Sequence, residues 1–199
     1  MSETSEQINK ELYECDNAKI KTADYVIDRI LLCTGLVRDA FDLGCGTGIY
    51  VQTLLDNGVD TIGIDKNDTI PENMLNTDKL NLRHHDLGKL VGNLYEPRDL
   101  VISFETGEHI PKAEAMQFVR NLVELSAKWI ILTCCPESGK YHLNPQPTDY
   151  WTEAVESLGK HKYKPYDSLE IMSFFKMNVR PEFGGFMWFK RDLMIFGVE

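Results

Sequence analysis

The chain has 199 residues, 43% of them hydrophobic and 26% charged, and its 31 acidic against 21 basic residues leave a formal charge of −10. These are the proportions of one globular domain with its own core, which excludes a disordered or fibrous chain. The acid excess speaks against a broad nucleic-acid footprint and leaves room only for a local basic groove, and the longest strongly apolar stretch, Trp129–Leu132, is far short of the roughly 20 residues of a membrane span.

Residues 1–22 form a polar segment that starts Met1-Ser2-Glu3-Thr4-Ser5-Glu6, with neither the basic start nor the apolar core of a secretory signal, so a cytoplasmic location is expected. The five cysteines, Cys15, Cys33, Cys45, Cys134 and Cys135, contain no C-x-x-C pair and read as reduced thiols. Residues 23–199 read as a single domain. Val26, Ile27, Ile30 and Leu31 recur at helical spacing and predict a helix from about Ala23 to Leu36. Strands and helices then alternate. Ala40–Leu43 reads as a strand, Val51, Leu54 and Leu55 mark a helix stopping near Asn57-Gly58, and Thr61–Asp65 is the second strand. Leu80–His84 is a third strand and Asp99–Phe104 a fourth. Ala115, Met116, Val119, Leu122 and Val123 line a helix that Pro111 opens, and Lys128–Cys134 is a fifth strand, apolar enough to be covered on both faces. Helices near Thr148–Leu158 and Tyr166–Lys176, the latter capped by Asp167 or Ser168, and a strand around Trp188–Phe196 complete the order. Such alternation implies a parallel α/β sheet with right-handed crossovers.

Phe41-Asp42-Leu43-Gly44-Cys45-Gly46-Thr47-Gly48 follows a strand and opens a helix. Glycines there let the backbone turn sharply and let a ligand approach its N–H groups, and the helix N-terminus favours a negative group. Asp65, ending the next strand, stands where a carboxylate accepts both hydroxyls of an adenosine ribose. The residues alone leave three readings: a turn without ligand, a dinucleotide site, or a site for another adenosine cofactor. The G-x-G-x-G spacing, unlike G-x-G-x-x-G, speaks against the dinucleotide.

Phe41–Gly48 together with Asp65 resembles motif I and the ribose-binding acid of class I S-adenosylmethionine (SAM)-dependent methyltransferases. His85-Asp86-Leu87 is similar to the family's adenine-side acid loop, and Asp99–Glu105 to its motif IV, so the resemblance spans residues 38–135. It implies a Rossmann-like domain with a mostly parallel seven-stranded sheet and helices on both faces. It also implies a SAM site built from Asp42, Gly44, Gly46, Gly48, Asp65, Asp86, Leu87 and Phe104, with residues 1–22 as a cover over the cofactor.

Glu105, Glu108 and His109 follow the fourth strand, at the sheet edge where ligands bind in open α/β folds. Two carboxylates and an imidazole can remove a proton from an acceptor, or hold a metal with oxygen and nitrogen ligands in one turn. The bland reading places Glu105 beside the cofactor, Glu108 as a cap of the following helix, and His109 as a base or merely packed. The Glu-x-x-Glu-His segment is similar to that of small-RNA 3′-terminal 2′-O-methyltransferases, where such residues and a later His bind a divalent ion, and of ubiquinone-pathway O-methyltransferases. That resemblance implies Glu105, Glu108, His109 and His142 as ligands of Mn²⁺ or Mg²⁺. His109, with Glu108, is the first catalytic candidate in either case.

The resulting expectation is SAM-dependent methylation, at oxygen, of a small polar acceptor. The alternatives are an RNA 3′-terminal 2′-O-methyltransferase and a cofactor-binding protein without catalysis. Asn144 and Gln146 beside Pro145, Pro147 and Tyr150 suit a polar-substrate wall, whereas Trp151 reads as core. The run Phe183–Phe189 reads as a turn into the last strand or a dimer face, and His84, His85 and His161 as surface or packing residues.

Overall fold

A computed structural model of the chain describes residues 23–66, 80–178, 189 and 191–198. The polar segment 1–22 and most of the run Phe183–Phe189 lie outside the described residues. Helix α1 covers residues 23–34. Then follow β1 (Asp39–Leu43), α2 (Ile49–Asp56), β2 (Asp60–Asp65), β3 (Asn81–His84), β4 (Arg98–Phe104), α3 (Ala115–Leu125), β5 (Ser126–Thr133), α4 (Thr148–Glu156), β6 (His161–Tyr163), α5 (Pro165–Asn178) and β7 (Met194–Val198).

The strands form one seven-stranded sheet in the order β3-β2-β1-β4-β5-β7-β6. All pairings among the first five are parallel, and β7 runs antiparallel to β5 and β6. Strand side chains alternate between faces. Phe41 and Leu43 of β1 pack with Phe118, Val119 and Leu122 of α3 and Trp151 and Val155 of α4. Ala40 and Leu100 face the other way, toward Val26, Ile27 and Ile30 of α1, Ile49 and Leu54 of α2, and Ile171 of α5. The sheet is therefore covered on both sides, which is why its strands read as apolar runs.

Ends follow local chemistry. Gly35, at φ 70°, ends α1 and Gly58, at φ 79°, ends the turn after α2. Three expectations need correction. The last strand, expected around Trp188–Phe196, is Met194–Val198, and Phe189 and Arg191 ahead of it are helical. Helix α5 opens at Pro165, and Ser168 lies inside it, donating to the Lys164 carbonyl and accepting the Ile195 N–H, so Ser168 pins the helix to β7 and does not cap it. Strand β6 carried no sequence signal. Its His161 is buried, with Nε2 3.0 Å from Ser126 Oγ, and burial pushes the imidazole pKa down to about 4. Trp151 is fully buried, as expected, edge-on to Phe118 and Tyr150. Among the described residues Cys33, Cys45, Cys134 and Cys135 are free thiols, and no helix is long and apolar enough to cross a membrane.

Candidate functional site

Strand order reverses between β1 and β4, and the connections leaving their carboxyl ends diverge there to open a crevice. The turn from β1 to α2 lines one side. Gly44, Gly46 and Gly48 have φ values of 81°, 51° and 79°, the left-handed region that side chains resist. The N–H groups of Gly44 and Cys45 donate to the Ile64 carbonyl, at 2.7 and 3.2 Å, tying the turn to β2. A Cβ at Gly44 would stand 2.1 Å from Thr106 Oγ1, so the turn and the β4 connection meet across that bare backbone. Gly46 N–H donates to Asp65 Oδ2 at 2.9 Å, which holds the expected ribose-binding carboxylate at the lip of the turn. Asp42 is buried in β1 directly before the turn.

After β3, where the adenine-side acid is expected, His84 pairs in register with Asp65, and the His85 N–H donates to the Asp65 carbonyl, so Asp86 begins one residue beyond this ladder. Asp86 Oδ1 accepts the Gly88 N–H at 2.9 Å and shapes the local turn. The Leu87 side chain is buried among core residues, which leaves its backbone as the part able to meet a ligand. The Phe104 ring lies edge-on to Tyr50 and Phe189, at centroid distances of 4.9 and 4.8 Å. His84 and His85 have local partners, the Lys66 carbonyl and the Tyr95 hydroxyl.

The other side of the crevice gathers Glu108, His109 and His142, whose ligand atoms all lie within 4.8 Å of one another. Glu105, expected as a fourth member, is not part of this group. It leaves β4 with φ 54°, which bends the chain before the single 3₁₀ turn Gly107–His109 that carries the other two. Glu108 is 1% exposed, and its Oε1 accepts the Cys135 N–H at 3.2 Å, so it braces the end of β5 and does not cap α3. Its carbonyl accepts the N–H groups of Leu143 and Asn144, at 2.8 and 2.9 Å, which fastens the His142 loop to the β4 turn. Burial first, then the Glu108 and Glu105 charges, push the Cys134 thiol well above its ordinary pKa, and Cys135 is raised mainly by burial. Both cysteines therefore stay protonated and are poor nucleophiles.

Each histidine is oriented by a carbonyl. His109 Nδ1 lies 3.0 Å from the Tyr141 carbonyl and His142 Nδ1 2.7 Å from that of Glu137. A carbonyl only accepts, so both Nδ1 atoms donate, and in the neutral ring this leaves the lone pair on Nε2, the tautomer of a metal-ligating or proton-accepting imidazole. The rings stand 5.0 Å apart at 88°. Gly139 makes room for one of them, since a Cβ there would meet the His142 ring at 2.9 Å. Tyr141, whose carbonyl orients His109, has φ 73°; it and Glu105 are the non-glycine residues with positive φ among those described, and both flank this cluster. Asn144 is buried and its Oδ1 accepts from Gln146 Nε2, so this pair stiffens the loop. Sequence reading missed Glu137, Gly139 and Tyr141, which act through backbone or through the absence of a side chain.

No protein-family model and no curated protein sequence matches the chain. Its fold matches solved structures closely. A SAM-dependent methyltransferase from Archaeoglobus fulgidus superposes with a TM-score of 0.62 at 15% identity, over 90% of this chain and 94% of that one. The magnesium protoporphyrin IX methyltransferase of Synechocystis PCC 6803, with bound SAH, gives 0.56 at 18% identity over 82% and 80%. The small-RNA methyltransferase HEN1 gives 0.62 at 15% identity over 90% of this chain and 25% of that longer one. The fold is that of the class I SAM-dependent methyltransferases.

Proposed function

We propose that the chain is a SAM-dependent methyltransferase that modifies a hydroxyl oxygen of a small polar acceptor, assisted by a divalent ion. The observation that carries this reading is that a left-handed glycine turn presenting Asp65 and a Glu108–His109–His142 group, whose imidazoles are oriented through Nδ1 by backbone carbonyls, both follow strands β1, β4 and β5 at the same end of the sheet. The turn fits an adenosine cofactor: its three glycines take left-handed conformations at a strand-to-helix turn, and a carboxylate stands where ribose hydroxyls need an acceptor.

SAM, when bound, supplies a methyl group on a sulfonium, which is already a good leaving group. Asp42, Gly44, Gly46, Gly48 and Asp65 would hold its methionine and ribose parts, with Asp86 and the Leu87 backbone on the adenine side and Phe104 at the end of β4 as a further cofactor contact. What remains for the protein is to align the acceptor and lower the cost of removing its proton. Glu108, His109 and His142 would hold Mn²⁺ or Mg²⁺, a Lewis acid for the acceptor hydroxyl, and the two nitrogen ligands favour Mn²⁺. Without the ion, His109 Nε2 is the base, and Glu108 keeps its loop in place.

RNA 3′-terminal 2′-O-methylation is the second reading, favoured by the His-rich ligand group and by the likeness to HEN1, and opposed by the formal charge of −10. The test is calorimetric titration with S-adenosylhomocysteine (SAH), the demethylated product of SAM, and with NAD. Micromolar binding of SAH, weakened about 10- to 100-fold in Asp65→Ala, is expected; binding of NAD in its place overturns the reading.

A further inference from the structure

His142 stands on the loop after β5, and what fixes it comes from the far end of the chain. Its Nδ1 donates to the Glu137 carbonyl at 2.7 Å. The Glu137 side chain receives Arg191 Nη1, also at 2.7 Å. The same guanidinium grips the Asp192 carboxylate, through Nε at 2.9 Å to both oxygens and Nη2 at 2.7 Å to one. Asp192 is buried and stands two residues before β7. Arg191 is thus held by its buried neighbour just before β7 and reaches out to the loop.

We infer that Arg191 and Glu137 are positioning residues that hold His142 in its Nδ1–H tautomer with Nε2 turned toward Glu108 and His109. This rests on the reading of those three residues as one functional group. Residues 137–141 are exposed, and Gly139 adds freedom to that stretch, so the Arg191 contact adds a side-chain tether to a carbonyl otherwise met by Cys135 Sγ at 3.9 Å and to a loop otherwise held by the Glu108 carbonyl. The tether joins residues 54 positions apart, so it links the loop to the segment that enters β7. A planar fork suits this task, because one face of the guanidinium engages Asp192 while another nitrogen remains for Glu137. The Arg191–Glu137 pair is itself solvent-exposed, with side-chain exposures of 40% and 70%, so it contributes little to global stability. Its removal should alter the orientation of His142 and leave the fold in place.

The test compares wild type with Glu137→Ala, which keeps the carbonyl and deletes only the tether, and with Arg191→Gln. Long-range ¹H–¹⁵N NMR of the histidines at pH 8.5 reads the tautomer of His142, and Mn²⁺ titration followed by electron paramagnetic resonance reads the ligand group. The expected result is a single Nδ1–H tautomer in wild type and a mixture in both variants. Mn²⁺ should bind about 10- to 100-fold more weakly in the variants, with SAH affinity within twofold. Unchanged tautomer signals in folded Glu137→Ala, or a wild type already in the Nε2–H form, overturn the inference. Failure of wild type to bind Mn²⁺ would remove the metal reading alone, and the tautomer comparison would still decide the role of Arg191 and Glu137.

Discussion

The two ends of the sheet use the same residue types to opposite effect. At the amino ends of β1, β4 and β5, charges are paired. Asp99 accepts the Arg38 N–H and Nε at 3.1 and 3.2 Å and pairs with Lys128 Nζ at 3.0 Å, while its own N–H donates to Asp39 at 2.7 Å. Arg98 meets Asp60 at 3.1 Å. The Arg38 guanidinium, helped by Lys128 and opposed by burial, holds the Asp99 carboxyl down at about 2. At the carboxyl ends, Glu108, His109 and His142 converge, their orientations are set by backbone carbonyls, and two non-glycine residues take left-handed conformations beside them. Paired charges at one end stabilise; strained backbone and oriented nitrogens at the other prepare a site for something else.

The sharpest way to break this contrast is to remove one member from each end. His142→Ala should abolish measurable Mn²⁺ binding, a loss above about 100-fold, and leave SAH affinity within a few-fold, whereas Asp99→Asn should change neither. Calorimetry checks both. An intermediate effect belongs to the glycine turn. Gly44→Ala forces a side chain into φ 81° and against Thr106, so it should cost about 1–3 kcal/mol, read as a fall in melting temperature of roughly 3–10 °C. The pH-dependent effects are of similar size at most and spread over several pH units. The unfolded His161 takes up its proton as pH falls through about 6.5, while the buried ring resists until about 4, so stability should decline across that window by roughly 1–3 kcal/mol. His161→Asn should flatten the decline. Asp99 acts lower, its stabilisation being present above about 4 and lost as pH approaches 2, which Asp99→Asn should remove.

Much of this architecture was legible in the residues. β1, β2, β4 and β5 are buried on both faces, so each reads as an apolar run, and Gly58 marks a helix end wherever it occurs. Strand β6 was illegible because His161-Lys162-Tyr163 is short and polar and owes its conformation to pairing with β7. The opening of α5 was misplaced because Ser168, a good cap by type, spends its hydroxyl on tying that helix to Ile195. At the site, the resemblance implied Glu105, Glu108, His109 and His142, and the fold brings the last three together. That Glu105 joins them in one turn is an inference that assumes regular backbone. The left-handed Glu105 breaks that assumption. The carbonyls of Glu137 and Tyr141 had no sequence signal at all, since every residue carries one and only the loop's path decides which two meet an imidazole.

The central claim is that a cofactor turn and a metal-binding group share one crevice at the carboxyl end of the sheet. The most direct measurement is an anomalous difference map from a crystal grown with SAH and Mn²⁺. The account predicts a manganese peak among Glu108, His109 and His142, with SAH against Gly44–Gly48 and its ribose on Asp65. An ion bound elsewhere, or SAH lying away from the glycine turn, would contradict it.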